Sequence, residues 1–600
     1  MTALIPERDL RFMLYEFLDT EALTARPCYV EHSREVFDAV LETARDIAED
    51  FFADHNAKGD ASEPKFEGDG VALIPETKAA WQAFAAAGLL SAHWRNDEGG
   101  LQLPEVVLRA AMAYFMAANA ATTAYPFLTI GAANLLRNFG SDEQKALYLA
   151  PMGDGRCAGT MALTEPGQGS ALGDIKTHAI AQADGSYRLF GQKMFISGGD
   201  QNLTENIVHM VLARIKDAPA GVKGISLFLV PKFVVNADGS TGARNDVALA
   251  GLLHKMGWRN TTSTVLAFGE RDGAVGYLLG TEGRGLAQMF QMMNEARIGI
   301  GLFAACIAYR GYRLALDYAR DRPQGRLPSC KDPLSPQVRL IRHADIRRLL
   351  LTQKAYAEGA LALCLLASAL FEDQRTHPEP AERERASLLL DLLTPVVKSW
   401  PAKYGCQAND MAIQVLGGTG YTRDYLAEQL YRDQRLNPIH EGAEGIHGLD
   451  LLGRKVAMGG GIALATFAAA VAETVAAARR DDELRPLADA LAAVMPRLAA
   501  VTATLVELQA GDPDRALANA TLYLDAFGRI VVAWVWLRQA LAACRGLATA
   551  ASTADSDFYR GKLQAARFYV EWELPATAAQ FDLLSAINSR PFEMHDEWFQ

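Results

Sequence analysis

Two carboxylates three residues apart, Glu441 and Glu444, lie in the glycine-studded stretch NPIHEGAEGIHGLD, residues 437–450. A carboxylate can take a proton from an activated carbon when it is held against that carbon, kept from water, and its pKa lifted toward the working pH. Ile439 and Ile446 offer apolar cover for Glu441, and Gly442 and Gly445 offer close backbone approach. Glu444 falls at the predicted start of a helix, where an acidic side chain is stabilised by the backbone dipole. A second constellation, MALTEPGQGSALGDIKTHAI at 161–180, forms a loop whose glycines expose backbone N–H groups beside hydroxyl donors. Such a loop suits an electron-rich ring or a phosphate, although a plain connection between two domains has the same composition.

Other chemistries lack their residues. GIGLFA at 299–304 fits the G-x-G-x-x-A spacing but lies within a helical pattern, whereas the dinucleotide fingerprint follows a strand and opens a helix. Its small residues suit two helices in close approach. Walker A, H-E-x-x-H and G-x-S-x-G sequences are missing. Cysteines 28, 157, 306, 330, 364, 406 and 544 are scattered without a C-x-x-C pair, which fits reduced thiols in a cytoplasm and no metal site.

The elements that must position these residues follow from periodicity. Apolar residues at three- and four-residue spacing make 36–150 helical, as in VFDAVLETARDIAEDFF. From about 158 to 280 the chain turns to short runs rich in branched and aromatic residues, such as YRLFGQKMFIS and GISLFLVPKFV, with Asp-Gly turns at 184–185 and 238–239. The helical period returns after GTEGRG and continues to the end, broken at 323–336 and 376–380, with the charged RRDDELRP (479–486) dividing its last part.

A chain of 600 residues with 22% charged side chains and a net charge of −12 has ample core and no attraction for nucleic acid. Residues 461–600 carry more acidic than basic side chains, which disfavours DNA binding there too. The N-terminus MTALIPERDLRF has charges where an export signal needs an apolar stretch. The runs ALALCLLASALF and GGGIALATFAAAVA read as buried helices shorter than the roughly 20 residues of a membrane span.

GQKMFISGG (191–199), LDYARDRPQGR (316–326), AIQVLGGTGYTRDY (412–425) and LYRDQRLNPIHEG (430–442), in that order after T-E-P-G-x-G-S, resemble the acyl-CoA dehydrogenase family. HKMGWRNTTSTVLAFGE, FQMMNEARIGIG, HGLDLLGRKV and FYRGKLQAARFYVEWELP extend the resemblance over nearly the whole chain. They look like a long bacterial branch that has an extra C-terminal helical domain and includes 3-methylmercaptopropionyl-CoA dehydrogenases.

The resemblance implies a mainly α fold with a central β domain: an N-terminal extension (1–35), a helical domain (36–157), a β-barrel-like domain (158–282), a four-helix bundle carrying the base (283–460) and a further helical domain (461–600). It implies an FAD-dependent oxidoreductase that converts an acyl-CoA thioester to the trans-2-enoyl-CoA. Glu441 would take the α-proton and flavin N5 the β-hydride, with electrons passing to an electron-transfer flavoprotein. An acyl-CoA oxidase using O₂ and a catalytically impaired flavin- or acyl-CoA-binding homologue are the alternatives.

By the same resemblance Met161, Thr164, Gly169, Ser170, Phe195 and Ser197 contact the flavin, Ser170 also bordering the acyl-CoA channel. Arg322 pairs with the FAD pyrophosphate, typically across a homodimer interface, while Gln414 and Gly418 approach the other end of the cofactor. Asn294 and Arg297 stand near the acyl-CoA and the catalytic carboxylate. Some relatives carry their base at the slot of Ala296; Glu295 is one residue off it, about 100° around a helix. Pro323, Gln324 and Gly325 depart from the family around Arg322, and His440 and Ala443 replace its tyrosine and threonine beside the base.

Overall fold

Asn119 and Ser141 each accept a hydrogen bond from a backbone N–H three residues on, which fixes the starts of two apolar helices, Ala120–Phe139 and Asp142–Gly153. Ser141 and Gln144 complete a reciprocal capping box. These helices belong to a computed structural model that describes residues 4–67 and 70–600, apart from the side chains of 291–294. It contains two compact units: Asp38–Leu103 with Tyr114–Ala296, and Met1–Phe37 with Pro104–Ala113 and Arg297–Gln600.

The first unit joins helices to an eight-stranded sheet. Its strand order is Val247–Leu252, Ser263–Phe268, Tyr187–Ser197, Ala274–Leu278, Ile225–Pro231, Asn206–Ile215 and Cys157–Ala162, with His178–Ala181 pairing beside that path. Asn206–Ile215 is covered on both faces, as its nearly unbroken apolar sequence requires. Val208, Met210 and Leu212 pack toward Ala132, Leu136 and Met152 of the helices, while Val211 and Ala213 face Leu189, Phe228 and Leu266.

The second unit is built on long helices: Ala344–Thr376 and Pro380–Leu416, then Ile462–Ala478, Arg485–Gln509, Ala520–Ala548 and Thr553–Phe568. RRDDELRP forms the turn between the fourth-last and third-last of these. Tyr356, Trp400, Tyr404 and Tyr569 join the bundle to the late helices; the Trp400 and Tyr404 rings stack with centroids 4.5 Å apart.

The expectation that the apolar runs are too short for a bilayer needs correction. Among the described residues four helices are long and apolar enough to cross one: Ala344–Thr376, Met458–Ala478, Arg485–Gln509 and Ala520–Ala548. Single charged residues such as Lys354, Glu358, Asp525 and Arg529 break this length into shorter unbroken apolar runs. The apolar windows of Ala344–Thr376 and Ala520–Ala548 are 89% and 83% buried within the protein, so their hydrophobicity is used for packing, whereas those of Met458–Ala478 and Arg485–Gln509 are 33% and 28% buried, so GGGIALATFAAAVA is not the buried helix expected.

A buried charge cluster ties the N-terminal segment to the late helices. Lys562 pairs with Asp9 and, at 2.9 Å, with Glu358, while Tyr309 donates to Asp9 at 2.6 Å. None of the three charged side chains exceeds 3% exposure. Removing one partner of such a cluster strands the others in a poor solvent. Lys562→Met is expected to cost about 3–5 kcal/mol, read as a lower thermal midpoint by calorimetry; an unchanged midpoint would refute the role of the cluster.

Candidate active site

Gly301 of the helix Gly285–Asp321 sits where any Cβ would collide with the carbonyl oxygen of Val397. The missing side chain lets this helix and Pro380–Leu416 approach closely, the purpose the small residues of GIGLFA suggested. Each helix brings a buried cation near one carboxylate: Arg297 and Lys398 both act on Glu441. Burial raises the Glu441 pKa above the ordinary carboxylate range, and the two cations only partly counter it.

The backbone beneath this carboxylate is unusual. Glu441 has φ +53° and Gly442 φ +96°, so the chain runs left-handed through the pair. A glutamate in that region is uncommon, and each strained residue costs about 1–3 kcal/mol. Two side chains hold the turn: Lys398 Nζ donates to the Gly442 carbonyl at 2.5 Å, and His447 Nε2 lies 3.2 Å from the Glu441 carbonyl. Burial drives the His447 pKa well down, aided by Lys398 and Arg297, so its ring is neutral and must carry its proton on Nε2 to donate here.

The surrounding ionisable groups are assigned elsewhere. Burial, then Lys398, pushes His440 down to about 3, so it is neutral and does not compete for protons near neutrality. Burial lowers Lys398 to about 7 against the pull of Glu441. Glu444 opens the helix Glu444–Asp450 and pairs with Lys403 at 3.1 Å; Lys403 also pairs with Asp525 at 2.9 Å. Arg297 Nη1 reaches Asp450 at 3.3 Å. Glu295 accepts from the Asn134 amide at 2.8 Å. Ile439 does not supply the expected cover, being 58% exposed, and Glu441 itself is only partly buried.

In the sheet-bearing unit the T-E-P-G loop and the GQKMFIS strand are joined by a buried ion pair. Lys193 contacts Glu165 at 2.8 Å and the Leu163 carbonyl at 2.9 Å, and Glu165 accepts from the N–H groups of Lys176 and Thr177 at 2.6 and 3.0 Å. Burial lowers Lys193 to about 8 despite Glu165. Between Lys193 and Ile196 the register against Ser263–Phe268 slips, leaving an extra residue in a β-bulge. Within it Met194 donates to the Thr164 carbonyl at 3.0 Å, and Phe195 takes φ +58° with 60% exposure. Bulges re-aim side chains, and this one turns an aromatic ring outward.

Gly169, Ser170 and Phe195 are exposed, and a Cβ on Gly169 would meet nothing within 4 Å. Met161, Thr164 and Ser197 are partly buried in the same segments. An outward aromatic face, an open glycine and hydroxyls are groups that suit a flat heteroaromatic ring such as a flavin. In the helical unit Arg322, Gln414 and Gly418 are exposed; Thr419 donates to Tyr318 Oη at 3.2 Å, joining the LDYARDR helix end to the Q-x-x-G-G turn. The side chain of Asn294 lies outside the described residues.

Sequence reasoning missed Lys398, His447 and the Glu165–Lys193 pair. The signal for Lys398 was a lone charge inside the apolar run LLTPVVKSW; charged residues in such runs are seldom buried without a partner. His447 gave no comparable signal.

Four family models match in succession: acyl-CoA dehydrogenase N-terminal domain over residues 35–156, middle domain over 160–269, C-terminal domain over 283–457, and acetyl-CoA dehydrogenase C-terminal like over 467–595. The chain is 36% identical over 587 residues to 3-methylmercaptopropionyl-CoA dehydrogenase of Ruegeria pomeroyi, covering 97% of each chain. It is 34% identical to the broad-specificity linear acyl-CoA dehydrogenase FadE5 of Mycobacterium tuberculosis, covering 97% of this chain and 95% of that one. Among solved structures, Caenorhabditis elegans ACDH-11 in complex with C11-CoA has the same fold, with TM-score 0.77 at 19% identity over 98% of this chain and 95% of the other. An acyl-CoA dehydrogenase complexed with FAD from Bacillus anthracis gives TM-score 0.72 at 21% identity, over 96% and 94%.

A Cβ at position 442 would meet the His447 ring at 3.0 Å on a backbone that disfavours any side chain. Gly442→Ala is therefore expected to destabilise the protein by about 1–3 kcal/mol, measured by chemical denaturation. Wild-type stability in that variant would mean the left-handed turn is dispensable.

Proposed function

We propose, on the premise that the chain belongs to the acyl-CoA dehydrogenase family of FAD-dependent oxidoreductases acting on CH–CH donors, that Glu441 is its catalytic base. The reaction is the α,β-dehydrogenation of an acyl-CoA thioester to the trans-2-enoyl-CoA. The observation that carries the assignment is a half-buried glutamate whose pKa desolvation raises, on a left-handed turn held by Lys398 and His447. A base must accept a proton near the working pH, and an ordinary exposed glutamate is too weak.

The chain's own groups divide the work. Glu441 takes the proton from the carbon α to the thioester carbonyl. Arg297, anchored on Asp450, keeps a positive charge near the carboxylate and favours its ionised form before the substrate arrives. His440 and His447 remain neutral, so neither offers a competing proton. When bound, FAD supplies the acceptor for the hydride leaving the β-carbon.

Phe195, Thr164 and Ser197 would hold its ring, with Met161, Gly169 and Ser170 shaping the near edge. Ser170, Arg297 and Asn294 would border the acyl-CoA. Arg322 would meet the pyrophosphate and Gln414 and Gly418 the far end of the cofactor. Their shared exposure on one unit supports a cofactor completed across a homodimer, since outward-facing cofactor contacts need a neighbour to serve.

An electron-transfer flavoprotein would remove the electrons. Seven free cysteines support a cytoplasmic setting, and the internal packing of the most buried apolar helices supports a protein without a membrane span. The functional domains would follow the boundaries 36–157, 158–282, 283–460 and 461–600, after the N-terminal extension 1–35.

Glu441→Gln should bind FAD and stay yellow, yet bleach with acyl-CoA at least about 10²–10⁴-fold more slowly. Glu295→Gln, whose carboxylate is engaged by Asn134, should bleach as the wild type does. Stopped-flow absorbance measures both, and full bleaching by Glu441→Gln would overturn the assignment. Peroxide released by the wild-type protein with acyl-CoA and O₂ alone would place it with the oxidases.

A further inference from the structure

Lys398 carries a charge where charge is expensive. Its side chain is wholly buried on Pro380–Leu416, between Pro395 and Pro401, and its hydrogen bond among the described residues goes to the Gly442 carbonyl at 2.5 Å. A neutral carbonyl alone does not repay the several kcal/mol lost when an ammonium leaves water, so the group needs an anion. Glu444 already pairs with Lys403, and Asp450 pairs with Arg297 and Arg454. The carboxylate left to balance Lys398 is Glu441, the residue whose backbone turn it grips.

Resting on the reading of Glu441 as the base, we propose that Lys398 is a positioning residue that acts through Glu441. Its hydrogen bond holds the left-handed turn, and its charge sets the pH at which the carboxylate becomes competent to accept a proton. A single ammonium thus couples geometry to ionisation. Arg297 acts in the same sense but from the other helix, and its charge is shared with Asp450. Lys398 also feels Glu444, but that carboxylate is paired with Lys403, and Lys398 sits on the turn itself.

The titratable and charged groups facing this ammonium are few. From Gly285–Asp321 comes Arg297, and from the turn come Glu441 and His440. From Glu444–Asp450 come Glu444 and His447. From Ala520–Ala548, Asp525 is directed to Lys403 and Tyr404 instead. Both histidines are neutral, so the charge state around Glu441 near neutrality is governed by Lys398 and Arg297. The apparent midpoint then belongs to the coupled pair of Glu441 and Lys398.

The sign of the effect follows. A nearby cation favours the ionised carboxylate, so removing it raises the pKa of Glu441 and moves the acid limb of the reaction to higher pH. Lys398→Gln keeps an N–H donor for the Gly442 carbonyl without charge, and Lys398→Arg keeps the charge. The rate of flavin bleaching by a saturating acyl-CoA, followed across about pH 6 to 10, separates the two. For Lys398→Gln the acid-side midpoint should rise by about one unit or more, making bleaching about ten-fold slower on the acid limb while approaching its plateau at high pH. For Lys398→Arg, whose charge persists across this range, the midpoint should not rise and should lie at or below that of wild type.

A Lys398→Gln midpoint that does not move, whatever its plateau, overturns the proposal and leaves Lys398 a packing residue. So does loss of the folded, FAD-loaded state in both variants, which would mark a purely structural role. Glu441→Gln, run alongside, keeps the two claims apart. If it bleaches, the base assignment fails; if it is inert while the Lys398→Gln midpoint stays put, only the role of Lys398 fails.

Discussion

One half-buried carboxylate beside two cations constrains the helical unit. Glu441 must be buried for its pKa to rise, yet burial alone would leave it protonated and idle. Arg297 and Lys398 offset part of that penalty, and they can do so only because two helices meet at a residue without a side chain, Gly301. The carboxylate also stands on a left-handed backbone that would relax without outside support. Packing, charge balance and backbone strain therefore converge on a turn of a few residues.

The rest of this unit holds those helices in place. Lys403 joins Glu444, three residues after Glu441, to Asp525 on a late helix, and Arg529 on that helix pairs with Asp525 and Glu573. Gly448 lies so close to Ala520 that a Cβ would overlap its backbone. The additional C-terminal helices are thus a buttress against the segment carrying Glu441. The cluster of Lys562, Asp9 and Glu358 brings the N-terminal segment into the same framework.

The sheet-bearing unit solves a different problem, the presentation of an aromatic face. Its means are a bulge at Phe195 and a buried pair, Glu165 with Lys193, that rigidifies an otherwise glycine-rich loop. Glycine and bulge geometry give shape, while the ion pair and its backbone hydrogen bonds limit motion.

By itself the sequence determined the order of helical, β and helical regions, because periods of 3.6 and 2 are written in the apolar residues and read locally. It also carried the family resemblance and singled out Glu441 as the candidate, through motifs whose spacing survives without coordinates. Tertiary structure alone decided what surrounds that glutamate. Lys398 is 43 residues before it and Arg297 144 residues before it, and no local pattern says that two such distant cations converge. It also decided that Ile439 is exposed, that His440 and His447 are neutral, and that Phe195 rides on a bulge. Burial, register and the partner of a charge are properties of elements packed together, set by which side chain is missing at a crossing as much as by which are present.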